Sequence, residues 1–247
     1  MKINLRSMLA GILLVLFLAG MIFFLKRNKL TPIAPPPSAV GGAGLPTALK
    51  VKGPASAPVK IVEYSDFECP SCRAIQTDLQ GLFKNYPGKI QLTYKHYPLT
   101  SHKWSIYAHQ AAECMSRQGK FWPYQDKVYD KQSEWANSNV APIEILAGYA
   151  QELGADMNRF GKCMEDVSVA REIYAEKEEG NKRQVSATPT FFLGEERFVG
   201  PKEMQERGEN AIRKVLGLPP KPVVVKKEVP AAPVFQAGIP KQKDLPR

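Results

Sequence analysis

Polar and apolar positions alternate over residues 59–64 (Val59-Lys60-Ile61-Val62-Glu63-Tyr64), and the β-branched content predicts a strand there. The period then lengthens. Ile75, Leu79, Leu82 and Phe83 recur at three- and four-residue spacing, which predicts a helix ending near Pro87-Gly88. Residues 90–94 predict a second strand. Between about 101 and 183 the pattern is helical throughout. Residues 106–115 form one helix, and residues 121–129 continue it or start another. Residues 142–153 form a third, with Pro142 at its first position, and Asp156 caps a short fourth. A charged helix follows over residues 169–182, with Glu176 to Glu179 as its solvated face. Residues 190–193, a Gly194-Glu195-Glu196 turn and residues 197–199 predict a hairpin. Gly200-Pro201 then opens a last helix with Met204, Ile212, Val215 and Leu216 on its apolar side. The order βαβ, helical block, ββα predicts one α/β domain over residues 53–218, interrupted by helices at about 101–183.

The two ends of the chain follow neither period. Residues 8–25 are eighteen consecutive uncharged, mostly apolar positions. As a helix they span about 27 Å, close to the ~30 Å hydrocarbon core of a bilayer. The stretch outruns the ~7–15 apolar residues of a secretory signal. Ala19-Gly20 is the only small pair near its end, and no cysteine follows that could carry a lipid. Residues 1–25 therefore read as a transmembrane anchor, with a cleaved signal sequence as the alternative. Lys2 and Arg6 precede the span while Lys26, Arg27 and Lys29 follow it, so charge does not set its orientation. Residues 26–52 are rich in Pro, Gly and Ala and read as a flexible linker reaching about 30 Å. Residues 219–247 hold seven prolines and scattered lysines and read as a disordered tail, solvated or touching anionic lipid, cell wall or a partner.

Charge sharpens this division. The 247-residue chain has a net charge of +10, but residues 1–52 carry seven cations and no acid, and residues 219–247 six cations and two acids. The predicted domain is left with 21 cations and 22 acids. A basic groove for nucleic acid is excluded there, and no nucleic-acid partner is expected.

Cys69-Pro70-Ser71-Cys72 falls where the first strand gives way to a helix. Two intervening residues let the pair close a disulfide across the first helical turn. That turn also aims unpaired backbone N–H groups and the positive end of the helix dipole at Cys69. A thiolate there is stabilised, which makes Cys69 both nucleophile and leaving group. Cys72, a turn deeper, is expected to be more buried and to resolve mixed disulfides. Pro70 suits a first helical position because it has no N–H to leave unpaired. Asp66 and Glu68 oppose the thiolate if they lie close. A zinc site is the rival reading, with Cys114 and Cys163 as the remaining ligands, but no second CxxC exists and the strand-to-helix setting is wrong for a zinc knuckle. No metal is expected. A purely structural CxxC disulfide is the other alternative.

The run Ala57-Pro58-Val59-Lys60-Ile61-Val62-Glu63-Tyr64-Ser65-Asp66-Phe67-Glu68 leading into this CxxC resembles the DsbA-like, thioredoxin-fold thiol–disulfide oxidoreductases. So do Tyr97-Pro98-Leu99 with His102, Ala111-Ala112-Glu113-Cys114, Gln118-Gly119-Lys120-Phe121-Trp122, Leu153-Gly154 before Phe160 and Cys163, and Val185-Ser186-Ala187-Thr188-Pro189-Thr190-Phe191. The segments run in family order across about 150 residues. The resemblance implies an α/β thioredoxin fold with a helical insertion between its βαβ and ββα halves. It implies catalytic Cys69 and Cys72, with Pro70 and Ser71 as the active-site dipeptide. It further implies a cis-Pro189 facing the CxxC, with Thr188 and Pro189 holding a substrate strand by strand addition. No cofactor is required, because electrons pass through sulfur.

By the same resemblance the partners are unfolded or partly folded cysteine-containing proteins and a membrane redox protein, and the anchor adds the membrane itself. The domain then sits in the periplasm, or otherwise outside the cytoplasm, on a single-pass inner-membrane anchor. Disulfide formation is the leading direction, with a reductase or isomerase of the same fold as the alternative. A peptide-binding or scaffold protein with an incidental CxxC is the reading from another class. Cys114 and Cys163 make the cysteine count even, and some family members carry a second pair. They are a candidate structural disulfide closing a loop of about 50 residues, worth ~4 kcal/mol by chain entropy. Two buried free thiols are the alternative. His96, His102 and His109 read as structural or exposed, with His102 nearest the thiol site, and Trp104, Trp122 and Trp135 as core or groove aromatics.

Overall fold

The computed structural model describes residues 50–221. The sequence-assigned anchor, nearly all of the linker and most of the tail lie outside the described residues. Five strands form one sheet in the order β1-β3-β2-β4-β5. These are β1 (Val51–Lys52), β2 (Val59–Ser65), β3 (Ile90–His96), β4 (Thr190–Leu193) and β5 (Glu196–Val199). β2 and β3 run parallel in register from Val59 opposite Ile90 to Ser65 opposite His96. β4 pairs antiparallel with β2, and β5 with β4. The parallel pair needs a crossover, and two helices supply it: α1 (Pro70–Ala74) and α2 (Gln76–Asn85).

Between β3 and β4 come six helices: α3 (Ser105–Ser116), α4 (Phe121–Asp130), α5 (Gln132–Ala136), α6 (Ile143–Glu152), α7 (Met157–Glu165) and α8 (Val167–Lys182). After β5 the chain continues helically through α9 (Gly200–Glu203), a π-turn (Met204–Gly208) and α10 (Glu209–Val215). The thioredoxin arrangement with a helical insertion is thus the observed architecture. Pro142 stands just before α6 rather than inside it.

Period-2 alternation puts Val59 and Ile61 of β2 on one face, where they join Ile75, Leu79, Leu82, Ile90, Leu92 and Ile212 in a core beneath α2 and α10. Tyr64, on the opposite face, packs with Tyr97, Val185 and Phe192. A further core fills the insertion and reaches back to the sheet, joining Phe67 and Tyr94 to Phe121, Tyr124, Trp135 and Leu146. Cys114 of α3 and Cys163 of α7 are bonded within the insertion, their Cα atoms 5.7 Å apart and 49 residues apart in sequence.

Three boundaries or faces differ from the sequence reading. The domain begins before residue 53: Val51 and Lys52 pair with Thr93 and Leu92, and Lys50 is 6% exposed. A two-residue strand is too short to show a period. Gly53 ends it at φ +96°, and a Cβ there would lie 2.1 Å from the Ile90 carbonyl oxygen. Residues 219–221 are also tied to the domain, since the Lys221 N–H donates to Asn210 Oδ1 at 2.8 Å and Arg213 Nε to the Pro219 carbonyl at 2.6 Å. Third, residues 176–179 are only in part a solvated face: Glu178 and Glu179 are exposed, but three of the four make long-range bonds. Glu176 takes Lys50 Nζ at 2.9 Å and the His96 N–H at 2.7 Å, Lys177 Nζ donates to Pro98 O, and Glu179 takes Lys95 Nζ and the Tyr64 hydroxyl, each at 2.9 Å. The charges on α8 mate with Lys50, just before β1, and Lys95 on β3, a long-range match that local spacing does not reveal.

α8 approaches the sheet closely at Gly180, where a Cβ would stand 2.9 Å from ring atoms of both Tyr64 and Tyr97. Those rings are buried and edge-packed on one another. Gly180→Ala should therefore cost net stability of about 1 kcal/mol. Overpacking at ~1–3 kcal/mol outweighs the ~1 kcal/mol that alanine gains in helix propensity. A lower urea midpoint at unchanged slope is the expected result, and an equal or higher midpoint would show that the rings yield freely.

Candidate active site

β2 ends at Ser65, and the loop Asp66-Phe67-Glu68 delivers Cys69 to the N-cap of α1 in an extended conformation, with Pro70 as the first helical residue. The Cys69 N–H closes a turn onto the Asp66 carbonyl at 3.1 Å. Both thiols are free; Cys69 is 7% exposed and Cys72 fully buried. Across the cleft the Thr188–Pro189 peptide is cis, and Cys69 Sγ donates to the Thr188 carbonyl at 3.4 Å. The Thr188 hydroxyl is buried without a partner. The Pro189 carbonyl is occupied by the Gly200 N–H at 2.8 Å. Cys69, Cys72, Thr188 and Pro189 are thus brought together, whereas the Cys114–Cys163 pair ties α3 to α7 within the insertion.

The two sulfurs are made unlike by their surroundings. The Cys72 thiol, donating toward Cys69, lowers the Cys69 pKa to about 5; burial opposes this, and the backbone N–H groups of Cys72 and Ser71 add to it. Cys72 moves the other way, driven up by burial and then by its neighbour. The Asp66 N–H lies 3.5 Å from Cys72 Sγ.

Asp66 is the hub of this loop. Its carboxylate is fully buried, which alone would raise its pKa, yet the bonds it accepts hold it well below the ordinary range. The donors are the N–H groups of Glu68 (2.9 Å) and Leu99 (2.7 Å), Ser105 Oγ (2.7 Å) and His102 Nδ1 (2.8 Å). His102 is correspondingly raised, first by its bond to Asp66. Behind Asp66, His109 Nε2 stands 3.7 Å from Oδ1 without a hydrogen-bond partner. His109 Nδ1 and His96 Nδ1 share a 2.6 Å bond, and His96 Nε2 meets Glu113 Oε2 at 3.1 Å. Burial lowers both of these histidines and keeps them neutral. Glu68 contributes differently: one of its oxygens takes the Trp104 N–H at 2.6 Å, and burial raises its pKa, which weakens its opposition to a thiolate next door.

Sequence reasoning passed over Glu63. It lies on β2 in the inward register of Val59 and Ile61, is fully buried, and neither carboxyl oxygen has a partner. Burial pushes it up to about 7. The phenols of Tyr94 and Tyr129, raised chiefly by their own burial, are raised further by both Glu63 and Cys72. The signal was available, because an acid at i+2 from Ile61 in an alternating strand has to face the core.

Residues 49–212 match the family model described as thioredoxin. Among curated proteins, Na(+)/H(+) antiporter NhaA 3 of Salinispora tropica is 36% identical over 152 residues, which is 61% of this chain and 22% of that protein. NhaA 1 of Salinispora arenicola is 36% identical over 151 residues, again 61% and 22%. The chain thus spans less than a quarter of the length of these relatives. Among solved structures, alpha-DsbA1 of Wolbachia pipientis superposes with a TM-score of 0.61 at 22% identity, over 68% of this chain and 90% of that one. Oxidised BdbD from Bacillus subtilis gives 0.60 at 24% identity, over 73% and 99%. A thioredoxin-like oxidoreductase from Silicibacter pomeroyi gives 0.53 at 26% identity, over 66% and 91%.

Glu63 makes the stability of the domain pH-dependent with a definite sign. Its folded pKa is about 7, against a model value of 4.5 for the unfolded chain, so the native state holds the extra proton between those values. That contribution is complete below about pH 4.5 and is lost as pH rises through about 7. Glu63→Gln, which stays neutral, should gain on wild type by roughly 2–4 kcal/mol between pH 5 and pH 8, at about 1.4 kcal/mol per pKa unit. Urea denaturation at the two pH values reads this directly, and a constant difference would mean that Glu63 titrates normally.

Proposed function

Because the chain belongs to the thioredoxin family, we propose that it is a DsbA-like thiol–disulfide oxidoreductase acting on cysteine-containing proteins through Cys69 and Cys72. The observation that carries this reading is the asymmetry of the two thiols within one helical turn: Cys69 depressed to about 5 at the lip of the cleft, Cys72 raised and fully buried. A pair so divided gives one sulfur that carries charge at neutral pH and one that stays a thiol.

In the oxidising direction a substrate thiolate attacks Cys69 of the Cys69–Cys72 disulfide, forming a mixed disulfide and releasing Cys72. The Cys72 sulfur takes one proton; Glu63, fully buried on β2 and half-protonated near neutral pH, is the proposed donor and is re-protonated from solvent. A second substrate thiolate attacks the mixed disulfide and expels Cys69 as thiolate. Two electrons have then passed from the substrate dithiol to the enzyme pair; one proton ends on Cys72 and the other in solvent. Thr188 and Pro189 hold the substrate strand. With the Pro189 carbonyl already bonded to Gly200, the backbone of Thr188 is the part left to pair with it. Stabilising the Cys69 thiolate favours the reduced enzyme and hence disulfide donation.

We place the domain outside the cytoplasm, carried by residues 1–25 as an inner-membrane anchor, with a membrane redox protein re-oxidising the pair. The bonded Cys114 and Cys163 support an oxidising compartment. Antiport is not carried over from the relatives: the chain matches only a segment of them, and among the described residues no helix is long and apolar enough to cross a membrane.

Cys69→Ser should abolish oxidative refolding of a reduced, unfolded substrate, and Cys72→Ser should accumulate a mixed disulfide through Cys69, visible as a mass shift under non-reducing conditions. Equilibration in glutathione buffers should give a potential more oxidising than about −180 mV, where a reductase would lie near −270 mV. Undiminished oxidation by the Cys69→Ser variant would instead favour a peptide-binding module with an incidental cysteine pair.

A further inference from the structure

We infer that the helical insertion tunes the redox centre through Gln132, whose side-chain amide takes the backbone carbonyls of both Phe67 and Cys69 and so holds their negative ends off the reactive sulfur. The inference deepens the oxidoreductase reading and rests on it. Gln132 opens α5, is 5% exposed, and uses both of its N–H donors, at 2.8 Å to Phe67 O and 3.0 Å to Cys69 O. Both partners are pure acceptors, so the amide can face them only nitrogen-first. Among the described residues Gln132 is the one donor to Phe67 O; Cys69 O also receives the Arg73 N–H at 3.2 Å.

The loop needs such a donor. Cys69 O already accepts the first bond of the helix and Asp66 O closes the turn with the Cys69 N–H, but Phe67 O lies in neither strand nor helix and has no backbone donor, and an unpaired buried carbonyl is costly. A carbonyl oxygen free to turn toward Cys69 would repel a thiolate. With Phe67 O pinned to Gln132, and Cys69 O to Gln132 and Arg73, the sulfur is left facing the N–H groups of Ser71 and Cys72, with the Thr188 carbonyl on the far side of the cleft. A second amide pair does the same for the resolving cysteine. Gln76 Nε2 donates to Cys72 O at 2.9 Å, and Gln125, 1% exposed on α4, donates to Gln76 Oε1 at 3.2 Å. Two successive helices of the insertion therefore reach the CxxC through primary amides. These groups are strongly dipolar but do not titrate, so they set the stability of the thiolate without adding a pH dependence of their own. Gln132 and Gln76 act on the cysteines through the backbone and are positioning residues, not catalytic ones.

The test uses the full chain with Gln132→Leu, which removes the donors at similar volume, and Gln132→Glu, which keeps the shape and replaces the donors with acceptors. Thiolate absorbance near 240 nm against pH gives the Cys69 midpoint, and glutathione equilibration gives the Cys69–Cys72 equilibrium constant. The expected result is an upward midpoint shift of at least about half a unit for Leu, roughly a threefold loss of thiolate below the midpoint, and a larger one for Glu. The disulfide should become correspondingly harder to reduce in both. A group that matters only for packing would lower the melting temperature and leave both readings alone; unchanged midpoints in folded variants overturn the inference. If the Gln132 variants do not fold, Gln76→Met, at a half-buried position, decides: its equilibrium constant must move in the same direction, and a wild-type value overturns the inference. A wild-type midpoint near that of an ordinary thiol would instead remove the oxidoreductase reading itself, so the two failures are separable.

Discussion

A loop that is to carry a charged sulfur has to dispose of its own carbonyl oxygens, because each is a partial negative charge tied within a few ångströms of the sulfur. In this protein the disposal is complete on the side facing the insertion: Phe67 O and Cys69 O go to Gln132, and Cys72 O goes to Gln76. What remains near Cys69 Sγ are N–H groups, the Cys72 thiol and, across the cleft, the Thr188 carbonyl at 3.4 Å. The rest of the site follows from that division. Cys72 is kept as a thiol by burial, Glu63 is held as an acid by the same cause, and the Thr188 carbonyl faces Cys69 at the cis peptide.

The loop is fixed from the other side by an anion. Asp66 accepts bonds from four donors on the loop itself, the segment after β3, and α3, so moving any one of these elements disturbs the other two. Its negative charge sits only three residues before Cys69, which is unfavourable for a thiolate. The structure answers by placing the His102 imidazole against it, raised toward the charged form. Local opposition between Asp66 and Cys69 is thus turned into a compact arrangement of alternating sign.

Much of this was legible in the chain. The period change at Ser65 and the CxxC at the strand-to-helix junction were readable because each depends on residues close in sequence, whereas Thr188-Pro189, 119 residues further on, came into view only through the family resemblance. The elements of the insertion were readable for the same reason: 3.6-residue periodicity is local. What escaped are groups whose meaning is set by distant partners. Glu176 looked like part of a solvated face until Lys50, 126 residues earlier, was found against it. Gln132 carries no pattern at all, since a lone glutamine in a helix is ordinary until two carbonyls face it. Glu63 is the intermediate case, visible in the strand register but masked by the habit of treating an acid in a strand as outward-facing.

Lys50 gives the charge cluster at the sheet edge a second meaning. It is the first residue of the described domain, and its ammonium is bonded to carboxylates on α3 and α8. β1, the strand it leads into, pairs with β3 at only two positions. Hydrogen bonds from so short a strand would peel one after the other under load. The two ion pairs of Lys50 share one ammonium and so form or break as a unit. Lys50 therefore works as a rivet: one ammonium fastens the leading edge of the sheet to two helices of the insertion, and drawing it out would strand two carboxylates at once.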